Sequence, residues 1–264
     1  MLKIETVNKS VSNAAKDGGI KINRFHYLDD RKRANKFVLE TDQGTIVSKN
    51  LTIPAYKIRE KAEALKLCPK AIFYCFSEKI IFTEFIKEKK IPLWENKDQL
   101  LKAMIDVQNI DIDLKTNVRE IHDPANVNFI IRKMKLTEYP SIERFREFLN
   151  LSKDMCSAHK RKVCHGDFLT VNTMQTDDKL LLVDWENAHI GYPFYDLFRL
   201  QFYKCDTLVP FAHAFLKSTN QNETLIEHLE ACQLMGLFHK TKINHPKFQM
   251  ISNHLTKKIE DLLK

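Results

Sequence analysis

Alternating and apolar stretches dominate the first third of the chain and predict β-strands joined by tight turns. The predicted strands are residues 26–29, 36–41, 45–51, 71–76 and 80–86. Gly44 lies in the turn between the second and third strands, and Ser77 begins the turn of a separate hairpin. Residues 55–67 carry Ile58 and Ala62 at helical spacing, so a helix is expected between the two groups of strands. The pattern therefore predicts a three-stranded meander, a helix and a hairpin.

From residue 93 onward, apolar positions recur at helical spacing, and this part of the chain is predicted to be mainly helical. The predicted helices are residues 94–107, 126–135, 142–156, 193–216, 223–237 and 246–263. One hairpin interrupts them, because residues 174–183 read as two strands around an Asp177-Asp178 turn.

Two carboxylates and a carboxamide stand out in this second part of the chain. Asp167 and Asn172 have the spacing of the kinase catalytic loop, in which the aspartate accepts the substrate hydroxyl proton and the asparagine binds magnesium. The hairpin of residues 174–183 would bring Asp184 to Asn172, and hard oxygen ligands of this kind suit magnesium. Each aspartate alone would be read as an ordinary loop carboxylate, whereas the joint pattern favours phosphoryl transfer.

The residues around this motif resemble the aminoglycoside phosphotransferase and choline kinase superfamily. The resemblance is carried by His165-Gly166-Asp167, Asn172, Asp184-Trp185-Glu186, Gly191, Asp196 and Leu197. It is strong over residues 163–200 and weaker elsewhere. The chain has His-Gly-Asp where protein kinases have His-Arg-Asp, and it lacks Asp-Phe-Gly. A small-molecule substrate is therefore implied ahead of a protein one.

This resemblance implies a two-lobed, protein-kinase-like fold of the α+β class. A small antiparallel-sheet N-lobe, residues 1–86, would contain the nucleotide-binding sheet and helix. A mainly helical C-lobe, residues 87–264, would contain the catalytic loop and the metal site. In that site Asp167 would be the catalytic residue, Asn172 and Asp184 would bind Mg²⁺, and ATP would supply the phosphate.

The superfamily also implies a lysine on the third strand that binds the nucleotide phosphates, and Lys49 falls at that place. Without the downstream motif, Lys49 would be read as a solvent-facing strand residue. The following helix would supply a glutamate that pairs with this lysine and orients it. Glu60 and Glu63 are three residues apart, so only one is expected to face Lys49. Glu60 fits the superfamily placement better.

Adenine is expected to bind at the hinge between the lobes, residues 83–86, through the Thr83 carbonyl and the Phe85 amide. The loop of residues 29–35 contains no glycine, although many superfamily members place small residues there so that the backbone can approach phosphate. Basic side chains at residues 31–33 could contact phosphate directly instead. Equally, this loop could simply be exposed.

A formal net charge of +8 favours anionic partners. The basic runs are short and scattered without interleaved aromatic residues, so solvated faces are expected rather than a nucleic-acid site. The six cysteines lack zinc-site spacing, which predicts reduced and mostly buried thiols. Cys164, beside His165, is accordingly expected to be a buried apolar residue. No apolar run is long enough for a membrane span and no leader pattern begins the chain, so a cytoplasmic enzyme is expected.

The sequence thus predicts an ATP- and magnesium-dependent O-kinase that acts on an amino alcohol, a sugar or an antibiotic. Two alternatives stay open. One is a lipid or glycan kinase at a membrane surface, which the basic charge would suit. The other is a nucleotide-binding pseudokinase, disfavoured because every metal-site residue is present. The acceptor is not identified, because pocket loops vary independently of the fold.

Overall fold

The computed structural model describes most of the first half of the chain and the segments around the motif. Its described residues are 9–28, 36–87, 97–112, 142–158, 161–169, 172–176, 179–191, 195–197 and the single positions 217, 253 and 257. The chain divides into two compact units, one of residues 1–119 with 165–189, the other of residues 120–164 with 190–264. The lobe boundary predicted between residues 86 and 87 stays a prediction.

A five-stranded antiparallel sheet forms the framework of the first unit. Its strands are β1 Ile22–Tyr27, β2 Phe37–Thr41, β3 Gly44–Asn50, β4 Ala71–Cys75 and β5 Ile80–Glu84. They are arranged in the order β1-β2-β3-β5-β4. Val47 lies opposite Thr83, and Lys49 lies opposite Ile81. Because directly opposed residues share a face of the sheet, these four side chains lie on one side.

Helix α1 (Lys9–Asp17) covers the other face of this sheet. Val11 and Ala14 are fully buried and pack in one apolar cluster with Ile46 and Phe82. Complete burial of a large apolar side chain contributes about 1.5–3 kcal/mol, so this cluster is a main source of the sheet's stability. Lys49 projects from the opposite face and is therefore free of this core.

Helix α2 (Ile53–Ala64) follows β3 almost directly and buries Ile58 and Ala62, one turn apart. It is tied to the sheet by Arg59, whose Nη2 donates to the Pro69 carbonyl at 2.6 Å. Arg59 Nη1 also pairs with Glu63 at 2.8 Å. The helix predicted over residues 55–67 is confirmed, with an earlier start and end.

A short hairpin brings the residues on either side of it together. Strand β7 (Thr173–Gln175) pairs with β8 (Leu180–Leu182), and Thr173 lies opposite Leu182. The Val183 amide continues the ladder by donating to the Asn172 carbonyl at 2.8 Å. The hairpin predicted from the sequence is therefore confirmed. It sets Asn172 and the residues after β8 at the same end of the ladder.

The other described elements are α3 Lys97–Gln108, α4 Ile142–Ala158, β6 Lys162–Cys164, a 3₁₀ turn Trp185–Asn187 and β9 His189–Gly191. Helices α3 and α4 agree with the helices predicted over residues 94–107 and 142–156, apart from their ends. None of the described helices is long and apolar enough to cross a membrane.

Some sequence predictions need correction or fall outside the described residues. The first strand was expected at residues 26–29 but is Ile22–Tyr27, because its antiparallel pairing with β2 begins at Ile22, opposite Thr41. Helix α1 was not predicted. Of residues 193–216, the structure describes 195–197, which are helical. The predicted helices at 126–135, 223–237 and 246–263 lie outside the described residues, except for the single helical positions 253 and 257.

Candidate active site

The loop that carries Asp167 is fixed by His165. The His165 ring is fully buried, its Nε2 lies 2.9 Å from the Val183 carbonyl oxygen, and its Nδ1 accepts the Asp167 amide at 3.3 Å. These partners assign a neutral ring with its proton on Nε2. Burial lowers the pKa of His165 to about 4, against the opposing effect of Asp167. A ring that is neutral near pH 7 can hold the loop in place through these two hydrogen bonds.

Gly166 makes the turn between His165 and Asp167 possible. Its φ of +82° lies in the region that side chains disfavour. A Cβ atom at this position would lie 2.1 Å from the Asn187 carbonyl oxygen and 2.8 Å from His189 Nδ1. Both the backbone conformation and the available space therefore require glycine here.

Asn172 holds Asp167 from the other side. Its Nδ2 donates to the Asp167 backbone oxygen at 2.8 Å and to Asp167 Oδ2 at 3.0 Å. The Asn172 side chain is buried, and its amide nitrogen is fully used in these two bonds. The structure thus brings together two of the predicted site residues, and it leaves Asn172 Oδ1 as the carboxamide atom that can face a cation.

Asp184 lies two residues beyond β8 in a left-handed conformation, with φ 63° and ψ 53°. Such a conformation is uncommon for a residue other than glycine and is concentrated at functional sites. Lys49 Nζ lies 2.9 Å from Asp184 Oδ1, and Lys36 Nζ lies 3.2 Å from Asp184 Oδ2. Burial alone would raise the pKa of Asp184, but the two ammonium groups outweigh burial and lower it to about 2.

Lys36 is a site residue that the sequence reasoning missed. Its side chain is 6% exposed, and its ammonium also lies 3.1 Å from Glu186 Oε1. Burial would lower the pKa of Lys36, but the charges of Asp184 and Glu186 outweigh it and raise the pKa above its usual value. The sequence around Lys36 gives no sign that this lysine is buried, because its partner Asp184 is 148 residues away in the chain.

The donor atoms present fit a magnesium ion. Asp184 is ionised at any physiological pH, and Asn172 offers a carboxamide oxygen. Magnesium takes such hard oxygen ligands and needs only one or two carboxylates, its remaining positions going to water and phosphate. Among the described residues there is no cluster of three histidine, cysteine, aspartate or glutamate side chains, which would have indicated an all-protein metal cage.

The pair expected between Lys49 and Glu60 is not formed in the described part of the structure. Glu60 is exposed and accepts a hydrogen bond from Tyr56 Oη at 3.1 Å. Glu63, the alternative, is engaged by Arg59 and by the Ala71 amide at 3.0 Å. Both helix carboxylates thus have partners of their own, and Lys49 pairs with Asp184 instead. The sequence-based pairing is corrected in this respect.

A cleft that is open to solvent adjoins these charged groups. It is lined by Lys49, Thr83 and Asp184, together with parts of α2. Thr83 lies within β5, with Val47 opposite it on one side and Ala71 on the other. Thr83 is therefore a buried strand residue, whereas Phe85 follows the strand and is exposed.

The thiol predictions agree with the structure where it describes them. Cys68, Cys75 and Cys164 are buried, as predicted. Burial raises the pKa of the Cys164 thiol well above its ordinary value, so it is not an activated nucleophile.

Comparison with known proteins points to one superfamily. The family model described as "Phosphotransferase enzyme family" matches residues 118–228, which include Asp167, Asn172 and Asp184. No curated protein matches the chain in sequence.

Several solved structures match over nearly the whole chain. Choline kinase LicA from Streptococcus pneumoniae is 17% identical and aligns over 96% of this chain and 98% of its own, with a TM-score of 0.61. Aminoglycoside phosphotransferase APH(4)-Ia, in a ternary complex with ADP and hygromycin B, is 13% identical, with coverages of 94% and 97% and a TM-score of 0.64. A choline/ethanolamine kinase family protein from Mesorhizobium loti is 12% identical, with coverages of 92% and 88% and a TM-score of 0.59.

The resemblance to the aminoglycoside phosphotransferase and choline kinase superfamily is confirmed. At these identities the solved structures establish the fold. The chain therefore has the α+β, two-lobed, protein-kinase-like fold of this superfamily, with a small antiparallel-sheet N-lobe and a mainly helical C-lobe.

Proposed function

We propose that this protein is an ATP-dependent phosphotransferase that moves the γ-phosphate to a hydroxyl group of a small molecule. The observation that carries the proposal is the convergence of Lys49 and Asp184 at 2.9 Å, beside a loop on which Asn172 holds Asp167 at 3.0 Å. A phosphate-binding lysine, a metal-binding carboxylate and a positioned aspartate are the parts that phosphoryl transfer requires.

Asp167 would position the acceptor hydroxyl in line with the γ-phosphorus and accept its proton late in the reaction. The transition state of phosphoryl transfer is largely dissociative, so orientation contributes more than full deprotonation. Asn172 supports this role by bonding both the backbone and the carboxylate of Asp167. His165, neutral and fully buried, supports it by accepting the Asp167 amide hydrogen.

Asn172 and Asp184 would hold magnesium, which when bound neutralises charge on the phosphate oxygens. Lys49 would then exchange the Asp184 carboxylate for a nucleotide phosphate. The exposed Phe85, directly after β5, would offer its amide to the adenine, and Thr83 would contribute its carbonyl at the adjoining end of the strand. Glu60, which accepts a hydrogen bond from Tyr56, has no role in this proposed site.

The acceptor class is drawn from the superfamily rather than from the described residues. A choline kinase and a complex with hygromycin B are among the similar structures, so amino alcohols and aminoglycosides are the first acceptors to test. Both classes are hydroxyl-bearing cations. The chain's own charge of +8 does not attract cations over a distance, so their recognition would depend on local acidic groups.

The test is magnesium-dependent transfer of phosphate from γ-labelled ATP to a panel of amino alcohols, aminoglycosides, sugars and nucleosides. We expect labelled product with one class, and none with the Asp167→Asn variant as a matched control. If the parent protein bound no nucleotide in the presence of magnesium, the proposal would be overturned. Binding of nucleotide without transfer to any acceptor would favour the pseudokinase alternative.

A further inference from the structure

Lys36, immediately before β2, is an unusual lysine because its charged side chain is almost completely buried. Its ammonium lies 3.2 Å from Asp184 Oδ2 and 3.1 Å from Glu186 Oε1, with 6% of the side chain exposed. Burying a charge is costly unless the charge is paired. The carboxylates of Asp184 and Glu186 meet that requirement.

The four charged groups at this point cancel one another. Lys36 and Lys49 supply two positive charges, and Asp184 and Glu186 supply two negative charges. Each oxygen of Asp184 is bonded by one ammonium group. Magnesium alone would therefore add positive charge to a balanced cluster and would have to displace an ammonium group from Asp184. A polyphosphate that arrives with the metal would supply the missing negative charge.

The position of Lys36 suits contact with such a polyphosphate. Its carbonyl accepts the Leu28 amide at 3.0 Å, which closes the base of the loop between β1 and β2. Lys49 reaches the same carboxylate from β3, the strand next to β2. Lys36, immediately before β2, and Lys49, on β3, thus converge on Asp184, and each of them loses that partner once Asp184 binds a metal.

We propose that Lys36 is a second phosphate-binding lysine, which pairs with Asp184 and Glu186 and exchanges Asp184 for a nucleotide phosphate when a magnesium nucleotide binds. This inference rests on the proposed function, since it requires that Asp184 serves the metal. Glu186 keeps its partner during the exchange and holds the Lys36 ammonium close to its new phosphate ligand.

The experiment compares the affinities of adenosine, AMP, ADP and ATP in the presence of magnesium, measured by calorimetry on the full chain. For Lys36→Gln, adenosine should bind as it does to the parent, while ADP and ATP should bind at least ~10-fold more weakly, the usual effect of one charge-assisted hydrogen bond. Lys21→Gln is the matched control, because Lys21 is an exposed lysine just before β1. It should reproduce the parent affinities for all four ligands.

A purely structural role for Lys36 gives a different result. Lys36→Gln would then lower the unfolding temperature but would leave the ratio of ADP to adenosine affinity unchanged, which would overturn the inference. If Lys36→Gln did not fold, Lys36→Arg would keep the charge. It should retain preferential binding of ADP over adenosine, and a parent-like adenosine affinity with lost ADP preference would count against the inference.

The metal requirement gives a second readout. Magnesium titrated into the nucleotide-free parent should bind much more weakly than magnesium titrated in the presence of ADP, and this difference should shrink in Lys36→Gln. Equal magnesium affinity with and without ADP would overturn the inference. Failure of the parent to bind any nucleotide would instead overturn the proposed function, so the two failures are distinguishable.

Discussion

At the scale of single residues, Asp167 is positioned by neighbours that do not react. Asn172 donates twice to it, and His165 accepts its amide hydrogen. These bonds restrict both the backbone and one carboxylate oxygen of Asp167, so little ordering remains to be done when an acceptor arrives. Such preorganisation lowers the entropic cost of aligning the hydroxyl with the phosphate.

Replacement of Asp167 by asparagine should separate catalysis from binding. We expect Asp167→Asn to bind ATP as tightly as the parent and to lose at least ~10²-fold in turnover, the lower range for a positioned acid–base group. Turnover and nucleotide affinity are measured on the same preparation. Parent-like turnover in this variant would remove Asp167 from the catalytic role.

His165 should make the stability of the protein depend on pH. Its pKa is about 4 when folded, against 6.5 for the free side chain. Between these values the unfolded chain binds a proton that the folded chain excludes. Stability should therefore be complete above pH 6.5 and fall as pH decreases toward about 4, by up to roughly 3 kcal/mol.

Urea unfolding between pH 4 and 8 measures this slope. His165→Gln, compared with the parent, should lose this part of the slope, whereas replacement of the exposed His26 should leave the slope unchanged. An identical pH dependence in parent and His165→Gln would show that burial of His165 does not control it.

The core of the site could be predicted from the sequence because its members are close along the chain. Asp167, Asn172 and Asp184 lie on one loop and the hairpin after it, so their spacing alone specifies their proximity. Lys36 could not be predicted in this way. Its burial depends on Asp184 and Glu186, which reach it only after the chain has folded.

At the scale of elements, α2 is held to the sheet by a network that leaves neither of its carboxylates for Lys49. Glu63 bonds Arg59 and the Ala71 amide, whereas Glu60 bonds only the exposed Tyr56 hydroxyl among the described residues. Helical spacing placed both acids correctly on the helix. It could not indicate which of them a buried arginine would engage, because Arg59 contacts the separate segment at Pro69.

This network predicts that two substitutions on the same helix change the stability of the protein by different amounts. Glu63→Ala should destabilise the fold by about 1–3 kcal/mol, because Arg59 and the Ala71 amide each lose the carboxylate to which they donate a hydrogen bond. Glu60→Ala should change stability by less than about 0.5 kcal/mol, since it is an exposed surface change. Denaturant unfolding of both variants is the measurement. A larger loss for Glu60→Ala would contradict the assignment.

The turn at Gly166 gives a second prediction at this scale. Gly166→Ala should cost at least about 1–2 kcal/mol from its backbone conformation alone, and more from the contact with the Asn187 carbonyl. Gly19→Ala is the matched control, because Gly19 also has a positive φ, +66°, but has open space around it. Unfolding free energies of the two variants should differ, and equal losses would exclude a steric contribution at Gly166.

Alternating side-chain patterns predicted most strands of the sheet, but element ends depended on pairing. Strand β1 begins at Ile22 because its partner β2 extends to Thr41. Pairing between separate segments of this kind cannot be read from the local pattern of side chains. Helix α1 was missed although its buried residues, Val11, Ala14 and Ala15, recur at helical spacing in the sequence. Thr83 was placed at the hinge, yet it pairs on both sides within the sheet.

At the scale of the whole molecule, the charge of +8 could serve an anionic membrane or could simply be spread over the surface. The basic runs of the sequence are short and scattered, and no basic amphipathic helix was identified in it. Each lysine or arginine near an anionic surface contributes about 1 kcal/mol, so a membrane role needs several of them on one face.

We predict negligible binding to phosphatidylserine vesicles at about 0.15 M salt, where screening acts over about 8 Å. Co-sedimentation with these vesicles is the measurement, and vesicles of neutral lipid are the control. Salt-sensitive pelleting with the anionic vesicles alone would favour the membrane-surface kinase over the kinase of a soluble acceptor.

Trp185 gives the charged cluster an optical reporter. Its indole is 5% exposed, donates to the Leu182 carbonyl at 2.9 Å, and packs edge-on against His165 with ring centroids 4.6 Å apart. It also follows Asp184 directly in the chain, and the sequence contains one other tryptophan, Trp94. In a Trp94→Phe variant, all tryptophan fluorescence would come from Trp185, which is next to Asp184 in the chain. Occupancy of the site would then be readable as a change in fluorescence, without any added label.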